Sequence, residues 1–289
     1  MAASWNERAL APFDVEITGA RLDQPLNPDD SARLVALYRK HKLLVFRGQS
    51  LTEDQQARIM ALLGPVLGAT GEYRRLSSDG NLGDAPLDWH SDLAFTELPF
   101  EAISLHALEV NDGQSWTAFT NGVRVLEQLP ADLAAAIEGK DARTVISMIQ
   151  THRAVGYDVP DFLPQIVRPL VIAHPYTGEK VLYINHMQTA RIEGLAPAES
   201  DALLARLFDR LYDESAVYRH HWHNGDFVIW DNIANQHSRC DLAGMHPRVM
   251  QRVCCAEKSF FDLLPQFRLD DPRIAAWGQG QALELEGEQ

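Results

Sequence analysis

Asn224-Gly225-Asp226-Phe227-Val228-Ile229-Trp230-Asp231-Asn232 is an apolar run entered by a turn signal and closed by polar residues, and it reads as a buried strand. Working outward, residues 42–47, 102–110, 167–173, 180–185 and 249–254 form further strand-like runs. Helical spacing is confined to three places. Asn27-Pro28-Asp29-Asp30 opens a helix to about residue 42, with Leu34, Leu37 and Tyr38 on one stripe. Thr52-x-x-Gln55 is a capping-box pattern for a helix ending near Gly64. Residues 198–214 place Leu203, Leu204, Leu207, Phe208 and Leu211 on a core-facing stripe. Many strands and few helices predict an α+β fold that is mainly β. Segments 71–87 and 144–166, with their Gly, Pro and Ser, read as irregular.

The chemistry-bearing residues flank this strand pattern. Asn235-Gln236-His237 follows the 226–232 run, at a strand end where function tends to sit. Far upstream stands Asp88-Trp89-His90-Ser91-Asp92. In an extended segment, positions two apart share a face, so His90 and Asp92 would meet one ion while Trp89 and Ser91 turn away. With 11 His and 40 acidic residues, about one His-x-Asp arises by chance, so the tripeptide alone is weak. Joined to a second His, it makes a 2-His-1-carboxylate set, which leaves positions on Fe(II) for a chelating co-substrate and O2. The alternating stretch Arg248-Val249-Met250-Gln251-Arg252-Val253-Cys254-Cys255 adds a further element. Met250 and Cys254 share the face of Arg252 and imply burial, and a buried guanidinium needs an anion, which it grips in bidentate fashion.

These motifs, taken in order, resemble the taurine dioxygenase-like family of Fe(II)/2-oxoglutarate-dependent oxygenases. The resemblance runs from about Val15 to about Phe261. It includes Gly19-Ala20-Arg21-Leu22, Leu43-Leu44-Val45-Phe46-Arg47, Trp89-His90-Ser91-Asp92 and His174-Pro175-Tyr176-Thr177-Gly178. It continues through Leu182-Tyr183-Ile184-Asn185, Thr189-Ala190-Arg191-Ile192, Trp230-Asp231-Asn232 and the Arg248/Arg252 pair. It implies a double-stranded β-helix, a jelly-roll or cupin-like core, with flanking helices and lid insertions, in one domain over 1–289 with a flexible tail from about 275. It also implies His90, Asp92 and His237 as catalytic iron ligands. Arg252 would then grip the distal carboxylate of 2-oxoglutarate, Thr117 would hydrogen-bond the same carboxylate, and Arg248 would lie near the co-substrate. Gly113-Gln114-Ser115-Trp116-Thr117 departs from the Gly-Gly-Asp-Thr-like run usual before that threonine. Trp230 and Asn232 are expected around the ligands, where a ligating imidazole normally finds an acceptor for its second N–H.

The same resemblance says less about substrate. Taurine recognition uses an Asn four residues before the first His and a Phe ahead of Thr-x-Arg-Ile; here these positions are Pro86 and Gln188. The His that precedes the block has no counterpart in residues 64–75, so a taurine pocket is not expected. Lids implied at the irregular segments make Tyr73, Met148, Tyr157 and Phe162 candidate substrate contacts, with His186 and Gln188 from the matched region.

Bulk properties agree with such an enzyme. Of 289 residues, 46% are hydrophobic and 23% charged, enough for a normal core. A net charge of -14, with a pI near 5.2, excludes a polyanion partner, so no nucleic acid is expected. Lacking an 18-residue apolar run or a signal-like segment, the chain is expected to be soluble and off the membrane. Cys240, Cys254 and Cys255 form an odd, sparse set suited to a reducing cytoplasm. The resemblance adds a homo-oligomer, dimer or tetramer. His220-His221-Trp222-His223 sets His221 and His223 on one face, without a carboxylate at ligand spacing, which reads as solvent-facing or pocket-rim. The expected reaction is hydroxylation of a small organic substrate with release of succinate and CO2. Desaturation, epoxidation and cyclisation share the site. A non-catalytic cupin-like binding protein would lack a ligand or the co-substrate Arg, and a zinc hydrolase would have no use for Arg252.

Overall fold

In the computed structural model, which describes residues 5–67, 75–79, 83–153, 158–268, 271–274 and 277, the central run of the sequence becomes the central strand. The first half of the chain forms β1 (Asn6–Leu10), β2 (Asp14–Thr18), α1 (Pro28–His41), β3 (Leu43–Phe46), α2 (Glu53–Met60), β4 (Arg75–Ser77), β5 (Leu87–His90), β6 (Ala102–Glu109) and β7 (Trp116–Asn121). Then come α3 (Gly122–Glu127), α4 (Ala131–Ile137), β8 (Asp141–Val145), β9 (Gln165–Pro169), β10 (Val171–Ala173), β11 (Lys180–Leu182) and β12 (Thr189–Ile192). The last part holds α5 (Pro197–Leu211), β13 (Val217–His221), β14 (Phe227–Asp231), β15 (Asn235–Arg239), β16 (Val249–Cys255) and α6 (Phe260–Leu263).

A seven-stranded sheet runs β1-β2-β3-β14-β6-β16-β4, and a four-stranded sheet runs β13-β7-β15-β5. Only the β2–β3 pairing is parallel among the described strands. The two sheets face each other across a core of Leu43, Val45, Ile103, Leu105, Val228, Trp230 and Met250 from the larger and Phe119 and Tyr218 from the smaller. This is a jelly roll. The outer face of the larger sheet carries Leu44, Phe46, Phe227, Ile229 and Cys255, and α1 and α2 cover it with Leu34, Leu37, Tyr38, Ile59 and Met60. Both faces of β14 are therefore dry, which is why its sequence is continuously apolar rather than alternating. Each of its fully buried aliphatic side chains contributes roughly 1.5–3 kcal/mol. Gly225, ahead of β14, has φ 81°, and a Cβ there would sit 2.9 Å from the Gln49 carbonyl oxygen, so only glycine fits the turn.

The expected helices form at α1, α2 and α5, and α2 has its capping box, Thr52 with Gln55. Two strand expectations need correction. The 167–173 run divides at buried Leu170 into β9 and β10, which pair in different sheets. The 71–87 segment is not wholly irregular, because β4 adds to the edge of the larger sheet beside β16. Residues 146–153 and 158–164 carry no helix or strand, as expected. Tyr73, Tyr157 and the tail from 275, apart from Trp277, lie outside the described residues. No described helix is long and apolar enough to cross a membrane.

Candidate metal and co-substrate site

Strand pairing sets two imidazoles face to face. β15 pairs antiparallel with β5, with His237 directly opposite His90, and the ring centroids are 4.2 Å apart. β5 ends at His90, and the chain turns before Asp92, so these two residues do not converge through strand alternation as the sequence implied. They converge because the turn is clamped. The Asp92 N–H donates to Asn232 Oδ1 at 2.9 Å, and Asn232 Nδ2 donates to the Asp92 carbonyl at 3.0 Å. Leu93, next along, is held at φ 59°, a conformation that a bulky residue adopts only where its surroundings enforce it.

Asp92 Oδ1 lies 3.4 Å from His90 Nε2 and 4.0 Å from His237 Nε2. One ligand atom from each of the three residues falls within 4.8 Å of the others, the only such group among the described residues. His90 Nδ1 is 2.7 Å from the Asp88 carbonyl oxygen, so that nitrogen carries the proton and Nε2 offers its lone pair. His237 Nδ1 is buried and has no hydrogen-bond partner among the described residues. Burial, and then the neighbouring His90, push the proton affinity of His237 well down, leaving the neutral imidazole that binds metal. Burial by itself would raise the Asp92 carboxyl, but the Arg252 charge outweighs it and holds Asp92 ionised. Two imidazoles and a carboxylate on one point form a donor set that suits Fe(II).

The two arginines near β16 go to different places. Arg252 Nη2 donates to Asp92 Oδ2, and its guanidinium lies over the Phe100 ring at 5.5 Å. Arg248 Nη2 instead donates to Thr117 Oγ1 at 3.3 Å, and its guanidinium stacks on Trp222 at 5.3 Å. Arg248 is 6% exposed, with Nε unpartnered and no carboxylate within ion-pair distance among the described residues. Burial, and then the nearby Arg239 charge, lower its pKa to about 9. Thr117 Oγ1 also accepts from Trp222 Nε1 at 2.9 Å. With two donors on its oxygen, the hydroxyl has its own proton to give to an anion.

Of the other expected residues, Asn232 acts through the backbone of Asp92, while Trp230 packs its ring 5.0 Å from that of His237 and makes no hydrogen bond through Nε1 among the described residues. His186 Nδ1 meets Asp88 Oδ2 at 2.7 Å, one residue's backbone away from the His90 contact. Gln188 is buried and bonded to Asn185. Met148 packs beside Phe95 and Leu163, and Phe162 lies under the Arg273 guanidinium at 5.0 Å. His221 and His223 are exposed, whereas His220 is buried against Asp226 at 3.1 Å. His221 and His223 thus face solvent, as expected, and the sequence reading did not single out Trp222. The alternation that exposes His221 and His223 buries His220 and Trp222, and Trp222 is the residue that reaches the site.

A family model described as "Taurine catabolism dioxygenase TauD, TfdA family" matches residues 6–254. The chain belongs to this family. As a TauD/TfdA-family dioxygenase it is an oxidoreductase whose cofactors are Fe(II), 2-oxoglutarate and O2. It is 30% identical to the alpha-ketoglutarate-dependent sulfate ester dioxygenase of Pseudomonas putida, over 83% of this chain and 85% of that one. Identity to the (S)-phenoxypropionate/alpha-ketoglutarate-dioxygenase of Sphingobium herbicidovorans is 31%, over 83% and 90%. Among solved structures, a taurine dioxygenase from Burkholderia xenovorans superposes with a TM-score of 0.72 at 27% identity, over 88% and 90% of the two chains.

Proposed function

We propose that this dioxygenase hydroxylates an unactivated C–H bond of a small organic acid, with His90, Asp92 and His237 as the iron ligands. The observation that carries the reading is their convergence on one point, together with the buried Arg248 guanidinium, which has no carboxylate partner among the described residues. Bound together there, Fe(II) and 2-oxoglutarate supply the oxidising chemistry: substrate, O2 and 2-oxoglutarate become hydroxylated product, succinate and CO2. The residues do the rest. Asp88 fixes the tautomer of His90, and Asn232 fixes the backbone of Asp92. Trp230 and Phe119 wall the His237 ring with apolar surface that excludes water.

The co-substrate roles we assign differ from those expected from the sequence. Thr117 lies with Arg248, while the carboxylate partner of Arg252 is Asp92. Arg248 and Thr117 are therefore the better pair for the distal carboxylate, and Arg252 serves the metal side. Relatives named for a sulfate ester and for phenoxypropionate support an acidic substrate, and Arg252 is the cation nearest the ligands.

Protein loaded with Fe(II) under anaerobic conditions, then given 2-oxoglutarate, O2 and a panel of small carboxylates, sulfonates and sulfate esters, tests this. Succinate should form with wild type and fall to background in His237→Ala and Asp92→Asn, which should also lose Fe(II) in equilibrium dialysis. Full Fe(II) binding by both variants would remove the proposed ligand set.

A further inference from the structure

Arg239 has no part in the reading above, yet the fold brings it to Thr117 and Arg248. On β15 it stands two residues beyond His237, so the two side chains leave the strand on the same side. In the register with β7 it lies directly opposite Thr117. At 5% exposure it is as buried as Arg248. Its Nη2 donates to the Ala85 carbonyl, and its Nε is buried without a hydrogen-bond partner among the described residues. The acidic residues whose fields it feels, Asp84 and Asp241, are exposed, and neither reaches ion-pair distance. Two buried guanidinium groups thus stand close enough for one to weaken proton binding by the other, and no described carboxylate pairs with either. Burying charge this way is costly unless an anion completes the site. Each guanidinium keeps an unused Nε–H, and a carboxylate offers about four lone-pair positions, enough for both and for the Thr117 hydroxyl.

We propose that Arg239 is a second co-substrate-binding cation: with Arg248 and Thr117 it forms a two-guanidinium cradle for the carboxylate of 2-oxoglutarate remote from the metal. This rests on the assignment of that carboxylate to Arg248 and Thr117. The cradle selects a 2-oxo acid with a second negative charge over one ending in a methyl group, because an apolar end would leave two buried cations unpaired.

The test is calorimetric titration of Mn(II)-loaded protein, so that binding is read without turnover. The probes are 2-oxoglutarate and 2-oxopentanoate, which has the same chain length with a methyl in place of the distal carboxylate. Arg239→Gln should weaken 2-oxoglutarate about tenfold or more and change 2-oxopentanoate by less than about twofold. Arg239→Lys keeps the charge but not the fork of donors, and should weaken 2-oxoglutarate alone by about threefold. This second variant carries the test if the first does not fold. Unchanged 2-oxoglutarate binding, or equal losses for both acids, would overturn the inference, since equal losses mean that Arg239 only props the 85 loop. Arg248→Gln separates the layers. If it loses 2-oxoglutarate while the Arg239 variants do not, this inference alone fails; if it too binds normally, the underlying carboxylate assignment fails.

Discussion

Arg248 and Arg252 stand four residues apart beside one barrel interior and meet opposite surroundings. Around Arg252 the charges are matched: Asp92 takes its Nη2, and burial keeps the His237 imidazole neutral. Around Arg248 they are not: its neighbours are a hydroxyl, an indole face and another guanidinium. The difference teaches what each region awaits. The first has a carboxylate and two nitrogen lone pairs aimed at a point, which is an electron-rich set for a cation. The second holds a surplus of buried positive charge and a hydroxyl proton, which only an anion satisfies.

Exchanging the two arginines' roles by mutation gives the largest expected effect. Arg248→Gln should raise the KM for 2-oxoglutarate by about 100-fold, the scale of a lost charge-assisted bidentate contact, while Fe(II) affinity stays at the wild-type value. Arg252→Gln should do the reverse, disturbing the metal side with little effect on 2-oxoglutarate binding. Steady-state kinetics with Fe(II) titrations decide it, and a larger co-substrate defect in Arg252→Gln would invert the comparison. A smaller effect is expected at Asn232. Asn232→Ala removes both hydrogen bonds to the Asp92 backbone, and should lower metal affinity by about 10- to 100-fold without shifting 2-oxoglutarate affinity in Mn(II)-loaded protein. Equal metal affinity in the variant would mean that Leu93 and its packing hold the turn unaided.

The smallest effect is on stability. His106 and His220 are buried, and burial lowers both below the ordinary 6.5; for His220 it outweighs the bond to Asp226. Below about pH 6.5 the unfolded chain binds protons that the folded state refuses, so stability is lost as pH falls. Thermal unfolding followed from about pH 7.5 to 5.5 should show Tm falling by a few degrees, about what 1 kcal/mol produces in a chain of this size. His106→Gln should flatten part of that slope, and a Tm that rises on acidification would contradict the burial argument.

Periodicity and turn chemistry exposed β14, β6 and β16 because each is a run of apolar or alternating residues. They missed β7 and β15, whose Thr117, Asn235 and Gln236 are polar and buried: Thr117 bonds to Arg248, while Asn235 and Gln236 bond to the carbonyls of Lys42 and Ile184. In these strands pairing with a neighbour overrides propensity. The His-x-Asp spacing was legible, but not its mechanics, since a turn clamped from 140 residues away does what strand alternation was expected to do.

By itself the sequence determined the donor types, their order along the chain and the continuous apolar strand between them, because these depend on local pattern and composition. Tertiary structure decided which arginine meets Asp92 and which meets Thr117. Thr117 and Arg248 are 131 residues apart and Asp92 and Arg252 are 160, and no local rule ranks one such pairing over the other. Strand register and burial do so, because they fix which groups share a space too dry to leave charge unpaired.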